Sequence, residues 1–76
     1  MSTVYIHGTK KQANERLAAG QTVSCDNYSL FSGEPDRGHI QAYPVGTVVK
    51  FYTKVIDGNP YAKGYGNWHP LLNKIV

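Results

Sequence analysis

Alternating positions along Thr47–Gly66 (TVVKFYTKVIDGNPYAKGYG) sort a dense run of β-branched and aromatic side chains onto two faces. Such side chains suit a pleated, half-buried surface, and successive residues of a strand point to opposite sides. The pattern predicts a strand over Thr47–Ile56, a turn at Asp57-Gly58-Asn59-Pro60 and a returning strand over Tyr61–Gly66. Asp-Gly marks the turn because a type I′ loop needs positive φ at both central residues. One face of the first strand carries Val48, Lys50, Tyr52, Lys54 and Ile56, and the other Thr47, Val49, Phe51, Thr53 and Val55. A two-residue loop at Asp57-Gly58 sets Lys54 against Tyr61, Tyr52 against Lys63 and Lys50 against Tyr65, a checkerboard of three lysines and three tyrosines. A loop at Gly58-Asn59 re-pairs the same six side chains without changing the face they share. On the other side, Ala62, Gly64 and Gly66 leave room for a close-packed element over Val49, Phe51 and Val55, so that side is expected to meet the core.

Thr3–His7 predicts a first strand, broken by Gly8. Thr9 is a good N-cap for a helix over Lys10–Ala19, with Gly20 placed to end it. Its apolar stripe is thin, Ala13 and Leu17 with Ala18 beside them, which fits a helix lying on a sheet. Lys10 and Lys11 occupy the first turn, where the helix dipole disfavours cations. Gln21–Cys25 reads as a strand anchored by Val23, Asp26-Asn27 as a turn, and Tyr28–Phe31 as a short extended run. Ser32–Gly38 has loop composition, His39–Tyr43 resumes a strand, and Pro44-Val45-Gly46 turns into the hairpin. After Gly66, Trp68 can plug the edge of a small core, Leu71 and Leu72 can cover the end of the sheet, and Lys74–Val76 forms a last short strand. The fold class is α+β: one domain, residues 1–76, with a short helix on a curved antiparallel sheet of four to five short strands. An SH3-like small barrel with an added helix is the alternative.

Composition narrows the chemistry. With 41% hydrophobic and 17% charged residues the chain belongs among folded domains. A core of this size stabilises only marginally, which makes a homo-oligomer or a bound partner a natural expectation. The net charge of +3 is a weak pointer to nucleic acid. Cys25 is the one cysteine, so no internal disulfide forms, in keeping with a reducing, cytoplasmic setting; no membrane span or signal peptide is evident.

No catalytic motif stands out, and no cofactor is expected. His7, His39 and His69 lack the short spacings of zinc sites, and Cys25 lacks the surroundings of a known nucleophile. Glu34 and Asp36 fall in an expected loop, a poor scaffold for an acid–base pair. The residues that stand out are those of binding. Lys50, Tyr52, Lys54, Tyr61, Lys63 and Tyr65, with Trp68 and His69 at the end of the strand, combine rigid half-polar rings with cations. That pairing serves protein contacts, where tyrosines anchor and lysines meet acids, and equally nucleic acid, where lysines meet phosphates and rings stack on bases.

Two stretches, KKQANERLAAGQTV and GTVVKFYTKVIDGNPYAKGYGNW, together resemble small accessory proteins of tailed bacteriophages. ANERLAAGQTV, a helix running through glycine into a strand, is also similar to phage proteins that counter bacterial defence. The resemblance spans about half the chain and transfers no residue roles. It implies a short, non-enzymatic viral protein that binds and inhibits or modulates a host protein or protein complex in the host cytoplasm. Nucleic acid bound by the same face, and sequestration of a small anionic nucleotide, are the alternative functions.

Overall fold

The computed structural model describes residues 3–28 and 36–76. Its organising pair is β1 (Thr3–His7) beside β4 (Val48–Ile56), which run parallel with Val4 opposite Val49 and Ile6 opposite Phe51. Those four apolar side chains are buried on one side of the sheet, against Ala13 and Leu17 of α1 (Lys10–Ala18). β2 (Ser24–Asn27) pairs antiparallel with β1 and β3 (Asp36–His39) with β2. On the other flank β5 (Asn59–His69) and the two-residue β6 (Lys74–Ile75) complete the order β3-β2-β1-β4-β5-β6. The class is α+β, as the pattern predicts. The sheet, however, has six strands among the described residues and is mixed, because β1 and β4 are parallel, and it curls into a half-barrel.

α1 is set by its ends. The Thr9 hydroxyl accepts from Gln12 N–H, and Gln12 Oε1 accepts from Thr9 N–H, a reciprocal capping box. At the other end Gly20, at φ +77°, donates to Leu17 O while Gln21 N–H donates to Arg16 O, the paired bonds of a Schellman turn. The helix lies nearest β6 and β5 rather than across the middle of the sheet. Asn14 joins them: its Nδ2 donates to Ile75 O at 2.9 Å and its Oδ1 accepts from Ile75 N–H at 2.8 Å. One side-chain amide thus imitates a further strand and satisfies the outer edge of β6.

Several local expectations are corrected. Asp26 and Asn27 lie in β2 rather than in a turn, because β3 is there to pair with them. Only His39 of the expected His39–Tyr43 strand belongs to one, and Ile40–Ala42 closes into a 3-10 turn that seats Ile40 in the core. Residues 29–31 of the expected extended run, and residues 32–35 of the expected loop, Glu34 among them, lie outside the described residues. Ala18, Leu71, Leu72 and Val55 are exposed, not packed. Gly66 fulfils the close-approach expectation: a Cβ there would stand 2.6 Å from Val76 O. Gly64 has open space instead. No helix among the described residues is long and apolar enough to cross a membrane.

The Asn14 clamp is testable. Asn14→Ala removes two hydrogen bonds from partly buried backbone and is expected to lower the unfolding free energy by about 2 kcal/mol. The loss will be read as a reduced urea midpoint at unchanged m-value. Asn14→Asp keeps an acceptor for Ile75 N–H and should fall between the two.

Candidate functional site

The β4–β5 hairpin turns at Asp57 (φ +52°) and Gly58 (φ +79°), the positive-φ pair of a type I′ loop. Ile56 therefore opposes Asn59, and Lys50 opposes Tyr65. Between them the ladder is interrupted. Phe51 pairs with Gly64 but Tyr52 pairs with Ala62, leaving Lys63 unopposed; Thr53 and Lys54 then face Tyr61 alone before Val55 meets Pro60. These offset bulges add local twist and mark where the hairpin leaves the core. From Thr53 to Lys63 every residue but the half-buried Pro60 is exposed, on both faces of the ribbon. Val55 and Ile56 are each 47% exposed and Tyr61 52%.

The bulges split the expected Lys/Tyr checkerboard. Lys54 and Tyr61 stay together on the arm, with Nζ 5.2 Å from the ring centroid. Lys63 and Tyr65 border a groove of about 370 Å³ shared with Gly8, Thr9, Lys10 and Phe51. Lys50 has its Nζ 5.9 Å from the centroid of Tyr5. Tyr52, expected to be an exposed anchor, is buried. Trp68, expected as part of the contact surface, is also buried and is a central core residue, its Nε1 without a hydrogen-bond partner among the described residues. His69 is half-buried at the end of β5, its Nδ1 likewise without a partner among the described residues.

What buries Tyr52 is a cluster that the hairpin pattern alone does not reveal. On the side of the sheet away from α1, its ring meets Tyr5, His7 and Tyr28 edge-on at centroid distances of 6.4, 5.3 and 6.0 Å. Tyr5 and Tyr28 pack edge-on at 5.6 Å. The Tyr52 hydroxyl donates to Asp26 Oδ2 at 2.8 Å, and Arg37 Nε stands 3.6 Å from Asp26 Oδ1. Beside this cluster a cleft of about 480 Å³ is lined by His7, Ser24, Asp26, Arg37, Gly38, His39 and Tyr52. Alternation in Thr3–His7 already places Tyr5 and His7 opposite Val4 and Ile6. The long-range pairing that brings them beside Tyr52 and Asp26 has no local signal.

Cys25 lies on the core side, while His39 is on the cleft side, opposite Ser24. The two therefore do not meet. Burial pushes the Cys25 thiol up, more than its contact with Tyr43 lowers it, which leaves it a protonated core group. Among the described residues no group of three or more His, Cys, Asp and Glu side chains is placed to hold a metal ion. No protein-family model, curated protein or solved structure matches the chain at a significant level.

Burial, and then the hydrogen bonds to Tyr28 and Asp26, hold the Tyr52 hydroxyl well above the ordinary tyrosine range. A raised folded-state value means that the contribution of neutral Tyr52 is complete below about pH 10, the unfolded value, and is lost as pH climbs toward the folded one. Tyr52→Phe is expected to cost about 1 kcal/mol at neutral pH and to flatten part of the alkaline loss. Urea denaturation across an alkaline pH series measures both.

Proposed function

We propose that this chain is a small non-enzymatic binding protein that docks on a protein partner through the β4–β5 arm. The observation that carries the reading is the exposure of the arm on both faces. An isolated two-stranded hairpin is at best marginally stable in water. Even so, this one carries Val55, Ile56, Pro60 and Tyr61 beyond the reach of the core. Its charges are two lysines, Lys54 and Lys63, against Asp57, too few for a backbone-tracking nucleic-acid contact. A mostly apolar tip with an aromatic anchor and a lysine on each strand suits a hydrophobic groove rimmed by acids. The resemblance to phage accessory and anti-defence proteins supplies the setting: a machine of a bacterial host, which the bound protein inhibits or modulates.

Tyr61 and Ile56 are the anchors. Tyr65 and Lys63, at the base of the arm, contribute at the rim. Tyr52 and Trp68 support the fold from within.

Tyr61→Ala with Ile56→Ser is expected to weaken partner binding by at least about 30-fold, the loss of one hot-spot contact of about 2 kcal/mol. The melting temperature should stay near that of the wild type, since both side chains are exposed. The measurement is a nuclease-treated affinity capture from bacterial lysate, followed by titration of the captured protein against both forms. Equal affinity of the two forms would remove the arm as the contact.

A further inference from the structure

The side of the sheet away from α1 has chemistry that the arm does not use. Cross-strand register sets Ser24 opposite His39 and Asp26 opposite Arg37 on β2–β3, Tyr5 opposite Asp26 on β1–β2, and His7 opposite Tyr52 on β1–β4. The cleft these residues border, about 480 Å³, falls in the size range of small-molecule sites. Its rim is available: His7, Ser24, Arg37 and His39 are all exposed.

The polar groups of the cleft are arranged as a donor–acceptor edge. Asp26 is mostly buried, its side chain only 18% exposed, and is held by the Tyr52 hydroxyl at 2.8 Å. Its carboxylate is therefore fixed in orientation. Arg37 approaches it through Nε at 3.6 Å, longer than a hydrogen bond, while the Arg37 side chain is 82% exposed. The guanidinium is kept near by charge without being clamped. A carboxylate beside a guanidinium complements a planar heterocycle that offers adjacent N–H donors and a carbonyl acceptor. The Watson–Crick edge of guanine has that arrangement, with N1–H and N2–H₂ for Asp26 and O6 for Arg37. His7 and His39 both line the cleft and are exposed, and an imidazole is a ring on which a base can stack. Lys50, its Nζ 5.9 Å from the centroid of Tyr5, adds a second permanent cation on this side of the sheet, outside the lining of the cleft. With one carboxylate against Arg37 and Lys50, the surplus charge suits a single phosphorylated unit better than a long strand.

We propose that this cleft binds a guanine mononucleotide, with Asp26 and Arg37 reading the base edge and Lys50 adding positive charge that favours the phosphate. The site is separate from the arm, and each can be lost without the other.

The test is calorimetric titration of the wild-type chain with GMP, AMP, CMP and UMP, and with a single-stranded ten-nucleotide guanine-containing oligomer. GMP is expected to bind at least ten-fold more tightly than the other three, and no less tightly than the oligomer. Arg37→Ala, at an exposed position where the fold is safe, is expected to weaken GMP at least ten-fold. Asp26→Asn should remove the preference for guanine, with its melting temperature recorded to confirm folding. Tyr61→Ala with Ile56→Ser should bind GMP as the wild type does, so failure at the arm and failure at the cleft read separately. No heat with any nucleotide, equal affinity for all four, unchanged affinity in Arg37→Ala, or an oligomer bound far more tightly than GMP would each overturn the proposal.

Discussion

The parallel pairing of β1 with β4 is the constraint on which the rest depends. Both strands alternate with a period of two, and in register their alternations coincide. Val4, Ile6, Val49 and Phe51 therefore share the core side with Ala13 and Leu17, while Tyr5, His7, Lys50 and Tyr52 share the other. A slip of β4 by one residue would drive Lys50 and Tyr52 to the core side and expose Val49 and Phe51. Because the hydrophobic cost of that slip is large, the polar side inherits a defined order of side chains without needing its own source of stability.

Elements governed by neighbouring residues were legible in the sequence. Thr3–His7 is a strand as predicted, Thr9 caps the helix, Gly20 ends it, and Asp57-Gly58 turns the hairpin. The Pro44-Val45-Gly46 turn also forms, with Thr47 N–H donating to Pro44 O at 3.2 Å. What was not legible depends on partners far along the chain. Asp26 and Asn27 have turn chemistry, but β3 supplies a ladder that outweighs it. Tyr52 carries the same hairpin pattern as Lys50 and Lys54, and only contact with Tyr5, Tyr28 and Asp26 makes it a buried residue. The bulges at Tyr52 and Lys63 have no signature in composition, and they are what turned one expected Lys/Tyr face into three separate surroundings.

The molecule divides its work by location. Aliphatic packing, the capping box and the Asn14 clamp fix the α1 side. The projecting arm carries apolar side chains that the core does not need. The tyrosine side combines a rigid base of packed rings with an exposed rim of histidines and Arg37. Rigid support beneath mobile, exposed groups is the general arrangement of recognition sites.

The bond from the Tyr52 hydroxyl to Asp26 joins β4 to β2 and passes over β1, which lies between them. Strands two places apart in a sheet are separated by roughly 9 to 10 Å, twice the ordinary spacing. A bond across that interval acts as a chord on the curve of the sheet, and its length changes whenever the curvature does. The hydroxyl thereby braces the bend of the sheet at β1, just before β4 runs out into the hairpin.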